Sequence, residues 1–285
     1  MLIAIVLHLE APAHVRLPLH LGRANHAAAL RLIGAADAAL AQTVHDEEGP
    51  KPLTCSGLLG VTPGRDGVAL RAGQACAVRL TGLNRAVGQA LEAGLLHGVL
   101  PENWELEGIP FRVTGATCDP AAHPWSGRSS CEQLAGAALV QGDEGRTVTF
   151  EFASPTAFKS AGYTVPVPMP ALVFGSLVER WNHFAPLRLS GEMRRFANEM
   201  MVISRYKLES RAVAQKNDAW RIGGVGTVTY RSMSADRYWL GVLHALAAFA
   251  LYSGVGVQTA TGMGQARAQA ATRVDGRTER RVNNA

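Results

Sequence analysis

The chain has 285 residues, of which 47% are hydrophobic and 18% are charged, so it is predicted to be globular rather than disordered. Its formal net charge of +5, with an isoelectric point near 9.3, favours a polyanionic partner. Aromatic residues make up only 6%, which argues against base stacking as the main mode of recognition. No run of about 18 apolar residues occurs, so we expect no membrane span.

The four cysteines are widely spaced and form no C-x-x-C pair; they are Cys55, Cys76, Cys118 and Cys131. This spacing predicts free thiols in a reducing compartment, and we expect no zinc site, no other metal and no cofactor. The apolar segment 1–9 lacks a basic start and a small-residue cleavage site, which indicates a strand rather than a signal peptide. We therefore expect a soluble cytoplasmic protein.

The first half of the chain alternates between strand and helix patterns. Apolar residues at spacings of three and four predict a long helix, and Asn84 is a suitable N-cap for a second one. The predicted elements are, in chain order, a strand at 2–10, a turn at 17–21, a helix at 25–44, strands at 52–60 and 75–81, a helix at 84–98 and a strand at 111–117. This order is that of a ferredoxin-like domain, with helices on one face of an antiparallel sheet.

The same order recurs after a loop-like segment at 119–131 and a short helix to about residue 140. The predicted elements are a strand at 146–153, a helix at 171–184, strands at 200–208 and 220–231, a helix at 235–251 and a strand at 264–272, followed by a polar tail expected to fray. The sequence thus predicts an α+β fold of two tandem ferredoxin-like (RRM-like, βαββαβ) domains. We place them at 1–130 and 145–275.

Four glycines, Gly254, Gly256, Gly262 and Gly264, lie between the last predicted helix and the last strand. Glycine adopts backbone angles that are closed to other residues, and successive N–H groups in such a loop form a nest for anions. Arg267 follows with a positive charge. On its own, the run is equally consistent with a tight helix-to-strand connection and with a phosphate-binding loop.

This run, preceded by Phe249-Ala-Leu-Tyr-Ser and containing Thr261-Gly-Met-Gly, resembles the glycine-rich loop of RAMP proteins. More narrowly, it resembles that of the CRISPR-associated endoribonucleases that cut repeat RNA into guide RNAs. Further matching segments lie at 17–20, 45–56, 155–158, 174–182 and 223–230. The resemblance spans most of the chain.

The resemblance implies metal-independent cleavage of RNA, in which a ribose 2′-hydroxyl attacks the adjacent phosphate and leaves 2′,3′-cyclic phosphate and 5′-hydroxyl ends. Such a step needs a base, an acid and cations for the developing charge. Members often carry a histidine after the first helix and a lysine six residues later, which implies catalytic roles for His45 and Lys51. The alternatives are an exposed loop histidine and a solvated lysine. Several members have a tyrosine in the first helix; this chain offers His26 there, either as a second proton-transfer or phosphate-contacting group or without a role.

Predicted RNA contacts lie at the entry of the first helix, in a basic segment of the second domain and in the glycine run. They are His20, Arg23, Arg194, Arg195, Arg205, Lys207, Gly254, Gly256, Gly262, Gly264 and Arg267. Phosphate contacts by lysine and arginine supply most of the affinity for RNA. Because acidic residues are interspersed, a mixed solvated surface is the alternative for the basic segment.

The resemblance implies CRISPR repeat RNA as the partner, and it leaves open a homodimer and contacts with CRISPR effector subunits. The main alternative function is a non-catalytic RAMP subunit that binds guide RNA in an effector complex, which would need no histidine–lysine pair. A nucleotide-binding loop would require a strand before the glycines and a helix after them. The predicted order here is the reverse.

Overall fold

The computed structural model describes residues 1–62, 64, 67–140, 145–215 and 219–269. It contains two main antiparallel sheets with helices packed on them, and the predicted α+β fold of two ferredoxin-like domains is confirmed. Within these ranges, no helix is long and apolar enough to cross a membrane.

The elements of the first half are β1 (Leu2–Glu10), β2 (Val15–Leu17), α1 (Gly22–Ala36), α2 (Ala38–Asp46), β3 (Leu53–Cys55), β4 (Val68–Leu70), β5 (Ala75–Gly82), α3 (Arg85–Glu92), a π-helical turn (Ala93–His97), β6 (Asn103–Leu106), β7 (Ile109–Thr117), β8 (Gly127–Ser129) and α4 (Cys131–Leu139). The main sheet has the order β3-β5-β1-β7-β6, and β8 also pairs with β1. Strands β2 and β4 form a separate ribbon.

The elements of the second half are β9 (Thr147–Thr156), β10 (Phe158–Ser160), β11 (Tyr163–Val165), α5 (Pro170–Phe184), α6 (Met193–Met200), β12 (Met201–Ala214), β13 (Trp220–Ser232), α7 (Arg237–Ser253), a 3₁₀ turn (Thr259–Thr261) and β14 (Ala266–Ala268). Their sheet has the order β12-β13-β9-β14, which repeats the β3-β5-β1-β7 arrangement of the first domain. Strands β12 and β13 form a long hairpin, and β10 and β11 form a short one.

Strand β1 contributes to both hydrophobic cores. Ile3, Ile5 and Leu7 pack in the core of the first domain, whereas Leu2 and Ala4 belong to the core of the second. Because side chains of a strand alternate between faces, a strand that is buried on both sides needs an unbroken apolar run. This explains the sequence of the first nine residues.

Several predicted boundaries are wrong. The single helix predicted at 25–44 is two helices, because Asp37 has extended backbone angles and its carboxylate caps α2 by accepting from Leu40 N at 2.9 Å. The strand predicted at 52–60 contains only β3, and β2, β4, β6 and α6 were not predicted. The last strand ends at Ala268; residues 270–272 of the prediction and the tail lie outside the described residues. Helix α4, between the two predicted domains, packs on α7, and the domain boundary stays a prediction.

Candidate active site

The side chain of Lys51 closes the C-terminal end of α2. Its Nζ donates hydrogen bonds to the carbonyl oxygens of Val44, His45 and Glu47, at 3.0, 2.8 and 2.7 Å. The last carbonyls of a helix have no partner within the helix, and a cation at this end interacts favourably with the helix dipole. Lys51 therefore fixes the backbone that carries His45, whose exposed side chain stands in the last turn of α2 rather than in the predicted loop.

His26 lies on α1, close to both of these residues. Burial lowers the pKa of its imidazole to about 4, and the positive charges of Lys51 and His45 lower it further. Its Nδ1 lies 3.9 Å from Sγ of Cys55 on β3. The imidazole of His26 is therefore neutral at pH 7. The structure thus brings together the three residues that the sequence assigned to catalysis, although their roles stay a prediction.

The break between α1 and α2 determines where His45 stands. Asp37 ends α1 and begins α2, so the second helix takes a new direction and presents His45 one turn before the loop at 47–51. Buried Asn25 fixes α1 on the sheet, since its side-chain amide donates to Ser56 O at 2.9 Å and its Oδ1 accepts from Trp104 Nε1 at 3.0 Å. His26 follows directly on the same turn, so its position depends on this network.

The four glycines of the run adopt left-handed backbone angles: φ is 62° at Gly254, 79° at Gly256, 95° at Gly262 and 68° at Gly264. The space beside them is occupied by backbone. A Cβ added to Gly256 would lie 2.3 Å from Ala157 O, and one added to Gly264 would lie 2.0 Å from Val255 O. Both the angles and the packing therefore require glycine here.

Most N–H groups of this run already have partners within the protein. Those of residues 254–257, 261 and 263–265 donate to backbone or serine oxygens. As they stand, these groups are not free to bind phosphate, so the geometry matches the tight connection rather than the anion nest. That the glycines contact RNA stays a prediction.

Helix α5 holds Gly256 from both sides. The Gly256 N–H donates to Ser176 Oγ at 2.9 Å, and Arg180 Nη2 donates to the Gly256 carbonyl oxygen at 2.7 Å. Ser176 and Arg180 are four residues apart and so lie on one face of the helix. Burial lowers the pKa of Arg180 to about 10, and its Nη1 has no hydrogen-bond partner among the described residues.

The predicted RNA contacts at the entry of α1 pack against the second domain. His20 Nε2 lies 2.8 Å from Thr261 O, and burial lowers the pKa of this imidazole. Arg23 donates to Gln215 Oε1 at 3.4 Å, at the end of the β12–β13 hairpin. Gln258 of the glycine run donates to the same oxygen at 2.7 Å. These contacts join α1, the hairpin and the glycine run at one junction, and RNA binding by His20 and Arg23 stays a prediction.

Three of the predicted RNA-binding arginines are in ion pairs: Arg194 with Glu179, Arg195 with Glu192 and Glu199, and Arg267 with Glu151. Arg205 and Lys207 are exposed on β12 and make no ion pair with a described residue. Exposed ion pairs contribute little to stability, so they do not prevent an arginine from binding a phosphate. The structure leaves RNA binding by all five as a prediction.

A cleft of about 530 Å³ lies between the loop after His45 and the second domain. Gly49 and Pro50 form its wall on the first domain, and the opposite side includes Ser176 and Gly256–Gln258. Four cations line it, with one acid: Lys159, Arg180, Arg194, Arg221 and Glu179. In the described part of the chain, no group of three or more His, Cys, Asp or Glu side chains is placed to hold a metal ion.

Comparison with known proteins agrees with this architecture. The sequence profile of the family described as CRISPR-associated endoribonuclease Cas6 matches residues 150–266. A Thermus Cas6 solved in a product complex is 31% identical to this chain over 94% of it and 99% of that protein, with a TM-score of 0.72. This chain belongs to the Cas6 family.

Other Cas6 structures match as well. A Cas6 from Thermus thermophilus in a product complex is 27% identical over 94% of this chain and 100% of that protein, with a TM-score of 0.75. A structure described as a RAMP protein that binds different RNA substrates is 12% identical, with a TM-score of 0.56, and so supports the fold alone. A search of curated proteins gave no match.

Sequence analysis of this Cas6 family member did not identify three cations of the cleft, Lys159, Arg180 and Arg221. The matching segment at 174–182 contains Arg180, and its spacing of four from Ser176 on a predicted helix was the available signal. Lys159 and Arg221 are single cations in hairpins, and only the folded chain brings them together.

Proposed function

We propose that this protein is a metal-independent endoribonuclease that cuts CRISPR repeat RNA (pre-crRNA) into guide RNAs. The observation that carries this proposal is the meeting of His26, His45 and Lys51 where α1, α2 and β3 converge. Membership of the Cas6 family, and the Cas6 structures solved with a product and with a substrate mimic, support RNA as the substrate.

The proposed reaction needs two proton transfers. The 2′-oxygen attacks phosphorus, and the bond from phosphorus to the 5′-oxygen of the next nucleotide breaks. One proton leaves the 2′-hydroxyl and one is added to the 5′-oxygen, which gives a 2′,3′-cyclic phosphate and a 5′-hydroxyl. The step therefore requires one base and one acid, and it consumes no water.

His26 is assigned as the base. With a pKa of about 4 it is unprotonated at neutral pH, so it accepts a proton and cannot serve as the acid. A pKa this low makes a weak base in the free protein. The negative charge of a bound phosphate favours the protonated imidazole and raises this pKa, which strengthens the base when RNA is present.

His45 is assigned as the acid. Its side chain is exposed at the end of α2, where it can reach a leaving 5′-oxygen, and histidine exchanges protons near neutral pH. Lys51 fixes this end of the helix through three hydrogen bonds and adds positive charge beside His26. Positive charge placed before the reaction begins stabilises the developing phosphorane.

A substrate with sulfur in place of the leaving 5′-oxygen tests these roles separately. A thiolate leaves without protonation, so a His45→Ala variant should cut the sulfur substrate at nearly the wild-type rate and the oxygen substrate far more slowly. A His26→Ala variant should be slow on both, because the 2′-hydroxyl keeps its proton. The reverse pattern would exchange the two assignments, and equal rates for wild type and both variants would overturn them.

All reactions contain a chelator, and the products are analysed for the cyclic phosphate. Cutting that needs added divalent metal would contradict the mechanism. Tight binding of repeat RNA without cutting by the wild type would favour the alternative, a non-catalytic RAMP subunit of an effector complex.

A further inference from the structure

The cleft beside the His45 loop has an excess of positive charge. Among its lining residues, Glu179 is the single acid and pairs with Arg194. Lys159 and Arg221 have no hydrogen-bond or ion-pair partner for their side chains among the described residues. Clefts lined by one sign of charge concentrate the field and attract the opposite charge.

Arg180 adds a third uncompensated charge behind this surface. It is 8% exposed and lines the cleft, its Nη2 is held by Gly256 O, and its Nη1 has no partner among the described residues. A buried cation without a carboxylate partner is costly. In the described part of the chain, no acid is bonded to it, so an anion in the cleft is the group that would offset this charge.

The position of the cleft indicates which anion it receives. One wall is Gly49 and Pro50, which lie between His45 and Lys51 in sequence. Ser176 and Gln258 supply neutral polar groups on the opposite wall. An RNA strand that places a phosphate at His45 would therefore bring a neighbouring phosphate to this cleft.

We infer that the cleft is a phosphate-binding subsite, in which Lys159 and Arg221 contact the RNA backbone next to the scissile phosphate and Arg180 supports them from beneath. This inference rests on the proposed function and deepens it. Lys159 and Arg221 act as binding residues, and Arg180 positions both the charge and the glycine run.

The salt dependence of RNA binding tests the subsite. We would measure the binding of repeat RNA with a 2′-deoxy substitution at the cleavage site by wild type, by a Lys159→Gln/Arg221→Gln variant and by an Arg71→Gln/Arg85→Gln variant. The last pair removes the same charge from exposed residues that do not line the cleft. Each lost phosphate contact to a single strand lowers the slope of log K against log salt by about 0.7, so the cleft variant should lose about 1.4 and the control none.

Neutral methylphosphonates, introduced one at a time beside the cleavage site, would locate the contact. At one position the substitution should weaken binding by wild type and by the control, but not by the cleft variant. Equal effects on all three proteins at every position would overturn the subsite. Failure of the wild type to bind or cut repeat RNA would instead overturn the proposed function, so the two outcomes are distinguishable.

Discussion

Gly22 and Gly262 bring the backbones of the two domains into direct contact. A Cβ added to Gly22 would lie 2.1 Å from Thr261 O and 2.4 Å from Gly262 Cα. One added to Gly262 would lie 2.7 Å from Gly22 Cα. The first residue of α1 is thus packed against the glycine run, and the distance between the two domains is set by the absence of two side chains.

We expect Gly22→Ala to destabilise the protein and to reduce RNA cleavage, because the methyl group would push α1 away from the glycine run. Overpacking of this kind costs about 1–3 kcal/mol in free energy of unfolding. Gly136→Ala on α4 is the matched control, since its Cβ would meet nothing within 4 Å. That variant should gain up to about 1 kcal/mol from helix propensity. Urea unfolding measures both, and equal stabilities would contradict the contact.

Removal of the Asp37 cap should affect catalysis as well as stability. Asp37→Ala and Asp236→Ala each remove a carboxylate that accepts from a backbone N–H, at 2.9 and 3.1 Å. Each should cost about 1 kcal/mol. Only Asp37→Ala should also slow cleavage in single-turnover assays, because α2 carries His45. Equal cleavage rates in the two variants would show that the start of α2 does not position His45.

The protein should lose stability in mild acid through His26. Its folded-state pKa of about 4 lies below the ordinary 6.5, so the unfolded chain binds more protons between these values. The contribution is fully present above pH 6.5 and is lost as the pH falls towards 4, by about 3 kcal/mol in total. A His26→Gln variant should lose less stability over this range in urea unfolding. The same pH dependence in both proteins would contradict the burial of a neutral His26.

Lys51→Met should change both the helix end and the imidazole next to it. Three carbonyls lose their donor, and loss of partners for such groups costs about 1–3 kcal/mol. Since the charge of Lys51 is one of the causes that lower the pKa of His26, this pKa should rise towards the ordinary value, but not reach it, because burial is the larger cause. NMR titration of the His26 ring measures the shift, and Lys159→Met is the control that should leave it in place. An unchanged pKa in Lys51→Met would separate the two residues.

The order of the elements could be predicted from the sequence because each domain alternates clear strand and helix patterns. The break at Asp37 was missed, since alanine and leucine continue at helical spacing on both sides of it. Short elements such as β2 and β4 depend on pairing between residues far apart in the chain. Local patterns carry no information on such pairing.

The candidate site was predicted only in part. His45 and Lys51 could be found by their spacing, but their arrangement depends on where α2 ends. The glycine run was found by composition, whereas its contacts with Gly22, Ala157 and Ser176 come from three other segments. The charge of the cleft was missed because its cations are separated in sequence and become neighbours only in the folded chain.

The burial of β1 on both faces has a consequence for synthesis of the protein. Leu2 and Ala4 pack in a core that includes Leu246, Ala250 and Tyr252 of α7. On the ribosome, the strand made first therefore waits for the last helix before its second face is covered. An expression system that pauses before residue 250, or a fragment that ends at 130, would leave this apolar face open to aggregation or to chaperones.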